Sequence, residues 1–335
     1  MKALVLKSYG KDAHVDFATI PRPEIKDHEI LVKIHAVGLN PIDYMIPEGT
    51  FKPILRFTLP AVIGSDLAGT VVETGSKVTR FRAGDAVYAS IFDMDNGSLS
   101  EYVAVPENAA ALKPEILSFT EAASLPMVAL TVWQAFERVG VCAGQKVFIP
   151  AGSGGIGTFA IQLARHLGAS VATTTSTRNT GLVKSLGAQH VIDYTYQDFE
   201  KELSGYDMVI GTVRGNSLEK AMRIIRPGGQ LVSLVGPVDL PFARQRKMNP
   251  VMKALFWLMS CKINVLAMHH QVRYAFHFMH PDGARLAEIA ALVDAGKLIP
   301  VIDRVFTFDE TLNALSYLKA GHAKGKVVVA FPRES

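Results

Sequence analysis

The chain has 335 residues, 49% hydrophobic and 20% charged, a length that calls for two domains and a composition that excludes a disordered or low-complexity protein. Its net charge of +4 comes from 35 Lys and Arg set against 31 Asp and Glu, scattered along the chain, which argues against a nucleic-acid binder and suits a small anionic ligand better. Cys142 and Cys261 stand far apart with no C-x-x-C, so neither a disulfide framework nor a cysteine zinc site is available, and a reducing, cytoplasmic setting is expected.

The opening MKALVLKSYG holds too short an apolar run for a signal-peptide core, and export is not expected. Over roughly the first 120 residues, short β-rich runs alternate with turn signals: EILVKIHAVGLN, IGSDLAGTVVETGS, GDAVYAS and GSLSEYVAVPE. They predict a mostly antiparallel β domain. From Gln145 the rhythm becomes strand, turn, helix, with KVFIPA, SVATTT, HVIDY, YDMVIG and QLVSLVG spaced as βα units of a parallel sheet. After the first of these strands, Ile156, Phe159, Ala160, Leu163, Ala164 and Leu167 recur at the spacing of one buried helix face, which Gly168 closes. The apolar residues 251–268 include Lys253 and Lys262 and predict a buried or interface helix in preference to a membrane span. PDGARLAEIAALVDAG predicts a helix capped near Asp282 and closed by Gly296, DETLNALSYLKAG a second from Asp309 to Gly321, and KGKVVVAF a final strand.

Between strand and helix, AGSGGIG spells G-x-G-x-x-G over Gly152, Gly154 and Gly157. In that setting Gly152 permits the turn, Gly154 lets backbone approach a pyrophosphate, and Gly157 lets helix pack on strand, while the helix N-terminus offers N–H groups to phosphate. A P-loop fails, because Thr158 and Phe159 stand where Lys and Ser or Thr are required. The remaining rival is a serine hydrolase, since Ala151-Gly152-Ser153-Gly154-Gly155 nearly matches a nucleophile elbow. An NAD site places Asp or Glu about 20 residues past the glycines. Residues 138–192 contain no acid, and the second strand ends in Ser176-Thr177-Arg178, hydroxyls and a guanidinium suited to a 2′-phosphate. The cofactor expected is NADPH.

These motifs, with VKIHAVGLNPIDY, LPAVIGSDLAGTVVETGSKVTRFRAGDAVY and EAASLPMVALTVWQAF, resemble the medium-chain dehydrogenase/reductase superfamily, in its zinc-independent quinone oxidoreductase branch of enone and alkenal reductases. The resemblance implies an α/β fold, a Rossmann doubly wound parallel sheet domain plus a GroES-like β domain. Residues 1–123 would form the N-terminal part of the GroES-like domain, 124–265 the Rossmann NADP-binding domain, and 266–335 a return segment completing the catalytic domain. It puts Asn40 and Thr131 beside the nicotinamide, and Ser153, Gly154, Gly155 and Ile156 on the pyrophosphate. Around the 2′-phosphate it puts Ser176, Thr177, Arg178 and Tyr194. Leu234, Val235 and Gly236 would lie against the nicotinamide, with Lys324, Gly325 and Lys326 returning from the tail to the cofactor. Tyr44 is the candidate proton donor or oxyanion partner.

Zinc-dependent relatives carry Cys where Asn40 stands and His-Glu where Ser65-Asp66 stands, so no metal is expected. His269, His270, His277 and His280 lack a thiolate or matching carboxylate and read as ordinary polar positions. Without a Lewis acid, conjugate addition is the reaction left: reduction of the C=C of an enone or alkenal, or of a quinone, by hydride transfer. A non-catalytic NADPH-binding relative is the alternative. The substrate is a small molecule, with no nucleic-acid or membrane partner expected and a homodimer as one assembly. Residues 237–281 are longer than in plant-type enone reductases, and either roof a substrate site or form a subunit contact.

Overall fold

The computed structural model describes residues 1–55 and 57–332, and it divides into two compact units, residues 1–130 with 280–335, and 131–279. Each is described by itself.

The first unit begins with β1 (Lys2–Ser8), β2 (His14–Thr19) and β3 (Glu29–Leu39), then α1 (Pro41–Met45), β4 (Ala61–Val62), β5 (Asp66–Thr74), β6 (Ala86–Ser90), β7 (Tyr102–Pro106), β8 (Ala110–Leu112) and α2 (Phe119–Ala123). Helix α3 (Pro126–Val139) carries the chain into the second unit. There follow β9 (Lys146–Ile149), α4 (Gly155–His166), β10 (Ser170–Thr175), α5 (Thr180–Leu186), β11 (His190–Asp193), α6 (Phe199–Glu202), β12 (Tyr206–Gly211), α7 (Ser217–Ile224), β13 (Ile225–Ser233), α8 (Leu240–Gln245), α9 (Pro250–His269) and β14 (Arg273–Phe276). The chain returns to the first unit with α10 (Gly283–Asp294), β15 (Ile302–Thr307), α11 (Thr311–Lys319) and β16 (Lys326–Ala330).

In the first unit the long strand β3 pairs antiparallel with β5, β7 and β16, and the last of these brings the C-terminal segment into the sheet. Register sets Val327 against Leu39 and Ala36 against Ala68, so the chain just past β3, the start of β5 and the start of β16 meet at one end of the sheet. Along EILVKIHAVGL the consecutive runs Ile30 to Val32 and Ala36 to Leu39 are buried, so the strand is covered on both faces, with Lys33 and His35 only partly covered.

The second unit is an all-parallel six-stranded sheet in the order β11-β10-β9-β12-β13-β14. Its strand order is that of a doubly wound dinucleotide fold, with the topological switch between β9 and β12, where ligands bind at the carboxyl ends of the strands. Phe148, Ala172, Val209 and Leu231, one from each central strand, are fully buried in its core. Helix α4 follows the expected periodicity, burying Phe159, Ala160, Leu163 and Ala164, and Gly168 at φ 80° lies just past its end.

Two expectations need correction. The second unit runs to residue 279 rather than 265, because RYAF forms β14 and pairs parallel with β13, a strand too short and too polar at Arg273 to stand out in the sequence. Of the two settings expected for the apolar helix, buried or interface, α9 does not take the first: Phe256, Ser260, Ile263 and Ala267 are its buried residues, and most of its large apolar side chains lie on the surface.

Candidate active site

The sequence-predicted residues fall on both units. In the first, Asn40 is the N-cap of α1, and its backbone N–H donates to Asp43 Oδ2 at 2.7 Å while its carbonyl accepts from the Asp43 N–H. That reciprocal cap uses the Asn40 backbone and leaves its amide for other partners. Asn40 Nδ2 donates to Asp66 Oδ2 at 3.0 Å and to the Gly38 carbonyl at 3.2 Å, and Asn40 Oδ1 accepts from Lys326 Nζ at 2.6 Å. Lys326 Nζ also lies 3.5 Å from Asp66 Oδ2. Asp66 Oδ1 accepts from the Met127 N–H, and Ser65 donates to Asp43 Oδ1 at 2.7 Å. The structure thus joins Asn40 to Lys326, which come from opposite ends of the chain, through a buried network.

All of these groups are nearly sealed from water, with Asp43 and Asp66 fully buried and Lys326 5% exposed. Burial pushes the Asp43 carboxyl up to about 7, against hydrogen bonds from Asn40 and Ser65 that favour its charge. Burial likewise drives Asp66 up and Lys326 down, and their mutual attraction opposes both. A protonated Asp43 leaves one carboxylate facing one ammonium, the arrangement burial tolerates best.

Gly325, at φ 80°, sets up this network: a Cβ there would meet the Val301 carbonyl oxygen at 2.2 Å, and the next N–H, that of Lys326, bonds the same carbonyl. Lys324 precedes it, half-buried, outside the network. Tyr44, one residue past Asp43 on α1, is half-buried and does not join the Asn40–Lys326 bonds. Beside Ser65 lies an apolar hollow lined by Ile46, Phe57, Val62, Ile91, Phe92 and Met94.

In the second unit the glycine loop opens α4 with Gly154 as N-cap, carrying no side-chain cap, so the N–H groups of Gly155, Ile156 and Gly157 in the first turn have no intrahelical acceptor. The left-handed residue of the turn is Ala151, at φ 55°, not Gly152. Gly152 is needed for closeness: a Cβ there would meet Thr173 Oγ1 at 2.0 Å, and one on Gly157 would meet the Ala151 carbonyl oxygen at 2.5 Å. A Cβ on Gly154 meets nothing nearer than 3.4 Å, so its lack of a side chain serves what approaches from outside.

Ser153 Oγ accepts from Thr175 Oγ1 at 3.0 Å and from Asn179 Nδ2 at 3.2 Å, and Asn179 Nδ2 also reaches Ser176 Oγ at 3.4 Å. Two neutral donors in place of a histidine remove the basis for a serine nucleophile. The same bonds gather Ser153 and Ser176 at the carboxyl ends of β9 and β10. Asn179 Oδ1 is buried there with no hydrogen-bond partner among the described residues, an unsatisfied acceptor beside the glycine loop. Arg178 is exposed in the adjoining turn, and Tyr194 is 62% exposed past β11.

One carboxylate stands close by, one residue beyond the acid-free run. Asp193 pairs with Thr175 in register and is buried. Burial works against its charge, but hydrogen bonds from Thr177 and Thr195 outweigh it and hold the carboxyl below its ordinary value. Thr177 and Arg178 are exposed in the turn past β10, beside Ser176, where a phosphate could meet all three. Across the switch, Leu234 N–H donates to the Gly211 carbonyl, and Ser233 Oγ donates to the Gly236 carbonyl at 2.6 Å, fixing the Leu234-Val235-Gly236 turn beyond β13. Thr131, on α3, is 8% exposed.

A parallel dinucleotide-type sheet joined to an antiparallel domain built from both chain ends defines a nicotinamide-dependent oxidoreductase class. Residues 26–115 match the alcohol dehydrogenase GroES-like domain, 186–329 the zinc-binding dehydrogenase family and 135–224 the C-terminal domain of alanine dehydrogenase and its transhydrogenase relatives. The chain is 37% identical to a 2-methylene-furan-3-one reductase of Solanum lycopersicum and 36% identical to an NADPH-dependent alkenal/one oxidoreductase of Arabidopsis thaliana, covering 98% of this chain and 79% of each relative. The quinone oxidoreductase of Coxiella burnetii superposes with a TM-score of 0.83 at 31% identity, over 98% of this chain and 99% of that one. The protein belongs to the medium-chain dehydrogenase/reductase superfamily, among its quinone, enone and alkenal reductases.

The zinc-binding description of one matched family does not fit the residues present. The oxygens of Asn40 and Asp66 already bond an ammonium, and Ser65 gives its proton to Asp43. Among the described residues no group of three or more His, Cys, Asp or Glu stands together in a metal-holding arrangement.

Proposed function

We propose that this enzyme transfers hydride from NADPH to the β carbon of an α,β-unsaturated carbonyl, or to a quinone, with no metal to polarise the acceptor. The observation carrying this reading is the Lys326 ammonium bonded to Asn40 and paired with Asp66, in the region where zinc-dependent relatives carry metal ligands. NADPH, when bound, supplies the hydride.

The chain's own residues bind, orient and exclude water. The first-turn N–H groups at Gly155 and Ile156, with the Ser153 hydroxyl beside them, receive the pyrophosphate. Ser176, Thr177 and Arg178 hold the 2′-phosphate through hydroxyls and a guanidinium, with Tyr194 around the same group. Lys326 and Asp66 lock the Asn40 amide in the first unit, and in the second unit Thr131 and Leu234 to Gly236 are the residues that the family resemblance assigns to the nicotinamide. Hydride addition to the β carbon moves the C=C electron pair toward the carbonyl oxygen, and a proton delivered to the α carbon completes the saturated ketone. Tyr44 is the donor or oxyanion partner in this reading.

A cytoplasmic setting accords with the two free cysteines. A homodimer accords with β14, an edge strand of the six-stranded sheet open to pairing with a second copy. Reduction of an enone with NADPH deuterated at the transferring position tests the chemistry: label at the product's β carbon is expected, and label at a carbinol carbon contradicts it.

A further inference from the structure

Helix α9 turns an apolar face outward. Val251, Leu255, Leu258 and Val265 follow one another at helical spacing and are 76, 45, 64 and 53% exposed, and Trp257, Met259 and Met268 widen the face. A contiguous exposed apolar face on a folded protein marks a contact surface. By length and composition α9 would even cross a bilayer, yet it is packed along one side onto its own unit: Phe256 meets Phe242, and Ile263 and Ala267 enter the core.

The charge around it identifies the occupant. Residues 240–281 contain no Asp or Glu, while Arg244, Arg246, Lys247, Lys253, Lys262 and Arg273 lie within them, more positive charge than the whole chain's net +4. Arg244 and Lys247 are exposed just before α9. Lys262, on α9, reaches the carboxylate of Glu219 on α7. A two-fold contact through α9, unlike one through the β14 edge, would set Lys253 and Lys262 against their own copies with no acid in the helix to separate them. Apolar side chains with an exposed Trp and a cationic margin are instead what an anionic lipid surface takes up, the helix lying in the interface plane.

We infer that α9 docks this enzyme onto anionic membrane surfaces. Lys253 and Lys262 disfavour a span, and with it the membrane partner not expected from the sequence, but they favour a helix lying flat on an anionic surface.

Co-sedimentation of the full chain with vesicles tests it. Vesicles of equal parts phosphatidylcholine and phosphatidylglycerol are expected to carry the protein down, with at least tenfold weaker association to phosphatidylcholine alone and release by salt. Trp257→Glu with Leu258→Glu should abolish binding while turnover of a water-soluble substrate is unchanged, and Arg244→Gln with Lys247→Gln should weaken it by about fivefold per charge. Absence of binding to the anionic vesicles, or binding that the Trp257 and Leu258 changes leave intact, overturns the inference. So does a self-associated species that Leu258→Glu alone dissociates, which would assign the face to a second copy.

Discussion

Lys326 Nζ donates to Asn40 Oδ1 at 2.6 Å, linking the last residue of the Lys324-Gly325-Lys326 run to the cap of the first helix, 286 positions away in the chain. A buried ammonium is costly unless paired, and here Asp66 and the Asn40 amide together satisfy it. The bond closes the first unit's sheet at the end where Asn40, Asp66 and Lys326 meet.

Removing one partner of that network should be severe. Lys326→Met leaves Asp66 buried and uncompensated, and a loss of about 3–5 kcal/mol in unfolding free energy is expected by denaturant titration. Adding Asp66→Asn should recover a substantial part of it. No recovery in the double variant would mean that the lysine acts by packing its stem, not by its charge.

Asp43 makes stability depend on pH. Its carboxyl stands at about 7 when folded, against an ordinary 3.8, so the folded state favours the protonated form. The contribution is fully present below 3.8 and is lost as pH rises through about 7. Across that window the unmodified enzyme should lose stability relative to Asp43→Asn, by at most about 4 kcal/mol. Thermal midpoints that track in parallel for the two proteins would show that Asp43 is ionised throughout.

The three glycines of the loop should separate by role. Gly152→Ala and Gly157→Ala force a Cβ into Thr173 or into backbone, and each should cost about 1–3 kcal/mol in the cofactor-free protein. Gly154→Ala has room, so its unliganded melting temperature should hold while NADPH affinity falls. Equal thermal loss in all three would contradict the assignment.

Cofactor choice rests on Ser176, Thr177 and Arg178. Arg178→Ala should raise the KM for NADPH about tenfold and leave that for NADH nearly unchanged. Equal loss with both cofactors would remove the guanidinium from the 2′-phosphate.

Much of the fold was readable because its signals are local. The βα rhythm after Gln145, the helix face from Ile156 to Leu167 and the cap at Asp282 each depend on residues within a few positions of one another. Short β14 and the exposure of α9 were not readable, since the first lacks periodicity and the second depends on what packs against an apolar helix. At the site, the glycine loop and the missing acid pointed to the ligand, but the role of Gly152 was misread because its constraint lies across space in Thr173. Asp193 lies one residue past the acid-free run 138–192, and only the pairing of β10 with β11 brings it beside Thr175. Asp43 had a signal in the cap spacing from Asn40, whereas its tie to Ser65, and that of Asn40 to Lys326, required the sheet to bring distant segments together.

The central claim is conjugate reduction without a metal, and NADPH consumption across paired substrates measures it most directly. Each enone or alkenal is compared with its saturated carbonyl counterpart, quinones are included, and products are identified. The account predicts turnover with enones, alkenals or quinones, a saturated carbonyl as the product of alkene reduction, and no turnover of the saturated counterparts. Alcohol formed from an isolated carbonyl would contradict it, as would silence across the panel from a protein that NADPH stabilises against heat.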